Sequence, residues 1–298
     1  MVGGGEIGAG WAALFVSHGV DVVVVDPDAE ALRRAHETLQ NARALGIGGG
    51  KTGTLTVSPD LERAVPKADW IQEAVPEALD LKQALFARIE QLASQEAVIA
   101  SSTSSLTRAD LSRAMRDDTR LLIVHPLQPV YAVPVVEVSV AEELPHQIVD
   151  RVLDTLRALG RTPVLVKGDL PGLVANRLTA ALLREALDLV ARGAITAADL
   201  DRVVAGGIAL GWTARGPLAT EVIGARLDAP DRLPEALETT LAPLWRSLAS
   251  WHALDAGARD AIARDLRDSL GAMQKAHVAG ESTWAKTLSR VARAAGGA

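Results

Sequence analysis

Every strand-forming run in this chain of 298 residues falls before residue 168, and the remainder of the chain reads as helix alone. Apolar runs rich in β-branched residues at 20–25, 55–57, 70–75, 97–101, 121–125 and 135–138 alternate with segments of helical period such as 79–92. That alternation predicts a parallel sheet wrapped by helices. Residues 145–159 carry Ile148, Val149, Val152, Leu153, Leu156 and Leu159 at helical spacing, and 162–166 reads as the last strand. Past Lys167-Gly168-Asp169-Leu170-Pro171-Gly172 the strand signals stop, and helix-start residues such as Thr196 and Asp199 take over. The expected fold is α/β: a doubly wound sheet domain over 1–168, then an all-α domain over 169–298. A helix is expected over 29–45, closed by Gly48-Gly49-Gly50.

The start of the chain says what such a sheet could hold. Gly3, Gly5 and Gly8 form G-x-G-x-x-G ahead of an amphipathic segment, a pattern that lets backbone approach a pyrophosphate at the positive end of a helix. The next strand ends in Asp26, eighteen residues after Gly8, where a carboxylate can bind both ribose hydroxyls of NAD and repel a 2′-phosphate. No arginine directly follows it, so the expected cofactor is NAD and the domain Rossmann-type. Read structurally, Asp26 would instead cap a helix before Pro27. Glu6 beside the helix entrance is tolerable only if it points to solvent. Just Met1 and Val2 precede Gly3, so the sequence is expected to start late and its first strand to be stunted, at a cost in stability and cofactor affinity.

Bulk composition narrows the function classes. The net charge is −6, which offers no general attraction to nucleic acid or an anionic membrane. There is no cysteine, hence no disulfide framework, thiolate nucleophile or cysteine-based metal site. The N-terminus lacks signal-peptide character and no apolar run approaches the ~18 residues of a membrane helix. A cytoplasmic location without a metal centre is expected.

His125 and Glu137 stand twelve positions apart in V-H-P-L-Q-P-V-Y-A-V-P-V-V-E-V. A free imidazole titrates near ~6.5, so it can accept a hydroxyl proton while hydride leaves the same carbon. A carboxylate can fix its tautomer and steady the imidazolium. With a dinucleotide site upstream, the pair points to an alcohol dehydrogenation.

Several motifs in order carry a resemblance: the glycine turn, Q-E-A-V-P-E at Gln72 to Glu77, S-S-T-S-S-L at Ser101 to Leu106, H-P-x-x-P, and P-G-L-V-A-N-R at Pro171 to Arg177. Together they resemble the 3-hydroxyacyl-CoA dehydrogenase family, closest to its L-carnitine dehydrogenase and L-gulonate 3-dehydrogenase (lambda-crystallin) branch. The resemblance implies a C-terminal domain like that of 6-phosphogluconate dehydrogenase, and a homodimer. It implies His125 as catalytic base, Glu137 as its partner, Ser104 as a ligand of the substrate hydroxyl, and Asn176 beside the reacting oxygen. It also implies Glu73 on the nicotinamide side of the cofactor site. The structural alternatives are that Ser104 caps a helix beginning near Thr107, that Asn176 ends a loop, and that Glu73 belongs to a structural pair. Gln128 stands where the family usually has asparagine.

The acyl-CoA enzymes of this family carry a long lysine-rich excursion after the second strand. Here residues 29–54 contain one lysine, Lys51, which favours a small 3-hydroxy acid, most like carnitine, as the substrate. A trimethylammonium group would need aromatic faces, for which Tyr131 and Trp212 are candidates and Trp11 a weaker one. A carboxylate would need a cation, for which Arg177 leads over Arg184 and Arg215. A 3-hydroxyacyl-CoA thioester and L-gulonate remain alternative substrates. Two readings from other classes are an idle crystallin-like structural protein and an NADH-responsive binding protein.

Overall fold

The computed structural model describes residues 1–298 except 49, 142–143, 227–228, 279–286, 289 and 292–298, and leaves out the side chains of 270–278. Among the described residues, seven strands lie before residue 168. β1 (Val22–Val25) pairs in parallel with β2 (Leu55–Ser58). β3 (Trp70–Glu73), β4 (Val98–Ser101), β5 (Leu121–Pro126), β6 (Val135–Val140) and β7 (Thr162–Lys167) run side by side in that order. Residues 1–3 join the two groups: Val2 bridges Val25 on one side and Glu73 on the other. The expected stunted strand is this single bridging residue. The chain leaves it for β1 and β2, then crosses back to β3 on its other side, so the winding reverses there. At such a reversal, loops leaving the carboxyl ends of the strands diverge and open a crevice.

One pairing departs from the expected parallel sheet. β6 runs antiparallel to β5, and chain length explains it. Only residues 127–134 separate the two strands, whereas a parallel return needs a crossover of a dozen residues or more. The register sets His125 directly opposite Glu137.

Helix Leu79–Leu92 forms over its expected span and buries Lys82, Phe86 and Ile89 along one face, at the i, i+4, i+7 spacing of a core-facing stripe. Phe86 and Ile89 share an apolar cluster with Ile71 of β3, Ile99 of β4, and Leu121 and Ile123 of β5. Helix Glu6–Ser17 is buried from Gly8 to Ser17, which its glycine, alanine and apolar composition allows. Glu6 is exposed, as its place at the helix start requires. The helix expected over 29–45 spans Ala31–Ala44. It is closed by Gly46 at φ +72 and not by the later triplet, because the left-handed residue must follow the last turn directly. Gly49 of that triplet lies outside the described residues.

Contacts divide the chain into two compact units, Met1–Arg177 and Leu178–Ala298. All regular structure described in the second is helical. Its core gathers Val190, Ala197 and Ile262 with Leu187, Ile195 and Leu254. Asp265 accepts the Ala197 N–H at 2.7 Å, and Trp251 Nε1 donates to Asp188 at 3.2 Å. The amphipathic run at 256–273 lies on helix Ala256–Val278. Among the described residues no helix is long and apolar enough to cross a membrane.

Candidate active site

At the carboxyl ends of β3, β4 and β5 a cavity of about 440 Å³ is lined by Glu77, Lys82, Ser104, His125, Gln128 and Asn176, among others. His125 Nδ1 lies 3.0 Å from Glu137 Oε2, and both residues are buried. An ionised carboxylate only accepts hydrogen bonds, so Nδ1 carries the proton and the lone pair sits on Nε2. The other carboxylate oxygen, Oε1, accepts the backbone N–H groups of Val174 and Ala175 at 2.9 and 3.0 Å.

The opposite wall is a loop held by Glu77. Its Oε1 accepts from Thr103 Oγ1 at 2.5 Å, from Ser105 Oγ at 2.8 Å, and from the Ser104 and Ser105 amides at 3.1 Å each. Half-burial opposes ionisation of Glu77. The hydroxyls of Thr103 and Ser105 and the charge of Lys82 outweigh it, holding its carboxyl down at about 2. Asn176 Nδ2 donates to the Ser104 carbonyl at 3.0 Å. Ser104 and Asn176 are thus brought together with His125. The helix that Ser104 was an alternative cap for is capped by Thr107, in a reciprocal pair with Asp110.

Glu73 lies elsewhere than on the cavity wall. It has no exposed surface. Its Oε1 accepts from Lys82 Nζ at 2.6 Å and from the Val75 amide at 2.7 Å, and its Oε2 accepts from Ser101 Oγ at 2.6 Å. The residue that faces the cavity is Glu77, four positions on, because β3 ends at Glu73 and the chain then turns outward. The Lys82 ammonium has three N–H bonds and three acceptors: Glu73, the Val75 carbonyl at 3.2 Å, and Glu77 Oε2 at 3.2 Å. Sequence reading missed Glu77 and Lys82, although a signal existed for the lysine. It sits on the apolar stripe of its helix, where a cation requires an internal anion.

The glycine turn has the shape of a phosphate cradle. Gly3 adopts φ +96, and a Cβ there would meet the Ala74 carbonyl oxygen at 2.5 Å. A Cβ on Gly8 would sit 1.9 Å from the Gly3 oxygen. Gly5, at the N-terminus of helix Glu6–Ser17, has open space where a side chain would be. Two glycines serve chain packing, and the third leaves the helix entrance bare for a ligand. Asp26 accepts the Gly4 amide at 2.5 Å and the Asp28 amide at 2.8 Å. It caps no helix, since Glu30 precedes the next one. Each of its oxygens retains a lone pair for a ribose hydroxyl. The sequence reading also overlooked Arg34, which donates to the Gly4 carbonyl at 3.1 Å and pairs with Asp28 at 2.8 Å.

The candidate substrate contacts are less gathered. Tyr131 is buried and is not among the cavity-lining residues; in the same segment the Val133 carbonyl accepts from Arg161 at 3.1 Å. Trp11 is wholly buried and donates to Ser102 Oγ at 3.2 Å. Arg177 is exposed and does not line the cavity. Trp212, partly exposed on helix Ala209–Arg215, belongs to the second unit with Arg184 and Arg215.

Residues 1–170 match the NAD-binding domain of 3-hydroxyacyl-CoA dehydrogenase, and residues 172–262 match its C-terminal domain. The chain belongs to the 3-hydroxyacyl-CoA dehydrogenase family. Within this family it is 35% identical to an L-carnitine dehydrogenase of Streptomyces coelicolor over 84% of this chain and 80% of the relative. It is 37% identical to a 3-hydroxyacyl-CoA dehydrogenase of Gibberella moniliformis over 75% of this chain and 71% of that one. Among solved structures, 5-formyl-3-hydroxy-2-methylpyridine 4-carboxylic acid 5-dehydrogenase, an NAD⁺-dependent dismutase, matches with a TM-score of 0.82. The two are 28% identical, and the match covers 98% of this chain and 97% of that one. The sheet-then-helices architecture is that of the family, and the chain is an NAD-dependent dehydrogenase.

Two outcomes test the wall built by Glu73, Lys82 and Glu77. Lys82→Met leaves Glu73 buried without its cation and is expected to cost about 3–5 kcal/mol in urea denaturation, with Lys82→Met/Glu73→Gln recovering most of it. Glu77, with an ordinary value of 4.5 and a folded value of about 2, adds stability above pH 4.5 that is lost as pH falls toward 2. The stability gap between the native chain and Glu77→Gln should therefore narrow across that window.

Proposed function

We propose that this chain oxidises the C3 hydroxyl of a small L-3-hydroxy acid, with His125 as the base, and that a carnitine-like molecule is its substrate. The observation that carries the reading is the strand register that sets His125 against Glu137, on the wall of a cavity shared with Ser104 and Asn176. Gly3, Gly5, Gly8 and Asp26 would hold NAD, which supplies the hydride acceptor when bound.

The protein's own part is proton chemistry and placement. His125 Nε2 takes the hydroxyl proton as the carbon loses hydride, and the imidazolium so formed is met by Glu137. Ser104 is a neutral donor for the alkoxide-like oxygen, and Asn176 fixes its backbone. Neither opposes the charge that His125 gains. Glu73 holds Lys82, which with Glu77 holds the serine loop, so its part is support from beneath.

The relatives named L-carnitine dehydrogenase and the single lysine of residues 29–54, Lys51, both support the small-acid reading. The fungal 3-hydroxyacyl-CoA dehydrogenase supports a thioester as the second. The helical unit exposes Leu178, Leu210, Leu218, Leu244 and Trp245, which supports its use in closing the site and in a homodimer. The domains divide at about residue 168 in this reading, and the enzyme is cytoplasmic.

His125→Ala should abolish turnover and leave NADH affinity nearly intact, and a retained rate would overturn the assignment of the base. For Glu137→Gln a large fall in kcat with little change in KM is expected. NADH production from L-carnitine, L-gulonate, 3-hydroxybutyrate and its CoA thioester ranks the substrates. Activity confined to the thioester would reverse the order proposed.

A further inference from the structure

Glu137 keeps a negative charge almost out of water, and among the described residues its one charged partner is His125. Its other carboxylate oxygen is met by backbone, through the Val174 and Ala175 amides that open helix Leu173–Ala191. The remaining charged groups on the cavity wall are Glu77 and Lys82, 3.2 Å apart, and Lys82 is shared with the buried Glu73 at 2.6 Å.

The amides reach Oε1 because the chain turns through two left-handed residues, Gly172 at φ +79 and Leu173 at φ +47. Glycine accepts this conformation freely, whereas leucine is strained in it. Among the described residues only Arg226 shares that non-glycine conformation. The Leu173 side chain is 2% exposed and belongs to the apolar cluster of Leu121, Ile123 and Val166. Leu121 and Ile123 alternate along β5 on the same side as His125. One anchor therefore ties the start of the helix to the strand that carries the base.

We propose that Leu173 is a positioning residue for the His125–Glu137 pair. Its buried side chain locks a strained turn that aims two amides at Oε1 and leaves Oε2 for the imidazole. The proposal rests on the dyad reading above, and the test separates the two. Leu173→Ala removes the anchor, and Leu173→Gly removes anchor and strain together. Both should lower kcat by at least about tenfold, with KM changed less than about threefold, and Leu173→Met should restore most of the rate. Hydrogen exchange gives a readout that needs no activity. The Val174 and Ala175 amides should be protected in the native chain and should exchange faster in both Glu137→Ala and Leu173→Ala. If Leu173→Ala or Leu173→Gly turns over within about twofold of the native rate, or if the two amides exchange no faster in Glu137→Ala, the proposal is overturned. Turnover by His125→Ala would overturn the dyad reading itself. A dead His125→Ala beside a fully active Leu173→Ala would sink only the role of Leu173.

Discussion

The site depends on one strand register. A carboxylate and an imidazole can share a proton only if both are fixed within about 3 Å, and two adjacent antiparallel strands provide that without flexible reach. Because the β5–β6 connection is too short for a crossover, the strands must run antiparallel, and residues opposite each other in such a ladder face the same side. The twelve-residue interval between His125 and Glu137 is therefore a geometric consequence of the hairpin and not an independent coincidence. Burial does the rest, since it removes water that would otherwise compete for both partners.

Each buried charge near the cavity is matched locally. Glu73 and Lys82 sit inside the sheet edge with every polar atom engaged, an arrangement that contributes little net stability but penalises any rearrangement severely. That asymmetry is useful beneath a reacting centre. The pair cannot shift without exposing one unpaired charge to an apolar interior, so Glu77 and the serine loop above it inherit a fixed base.

Much of this could be read from residue order, and the failures have physical causes. Strand and helix positions came through because β-branched runs and the stripe of Phe86 and Ile89 are local signals. His125, Ser104 and Asn176 could be singled out because motifs preserve spacing, and the fold sets all three on the wall of one cavity. The orientation of β6 was missed because the expected parallel sheet was drawn from alternation alone, although the brevity of residues 127–134 already decided it. Glu73 could be read either as a cofactor-site residue or as one of a structural pair, and only the position of the strand end shows that it pairs with Lys82 while Glu77, four residues on, lines the cavity. One turns inward with the strand, and the other follows the loop outward. Tyr131 was valued for its ring, while the fold buries it in a segment whose carbonyls accept from Arg161 thirty residues away, a relation with no local trace.

Three acids surround the site, and all three are satisfied in the same way. Asp26 takes the amides of Gly4 and Asp28, Glu77 those of Ser104 and Ser105, and Glu137 those of Val174 and Ala175. Backbone amides cannot swing away as an arginine side chain can, so each carboxylate fixes the loop that neutralises it. The glycine turn, the serine loop and the opening of the long helix are set by the same device. The imidazole of His125 lies against the acid whose second oxygen is free for it. When His125 takes a proton, the new positive charge appears beside a negative charge already fixed in place, so the surroundings need not reorganise during the reaction.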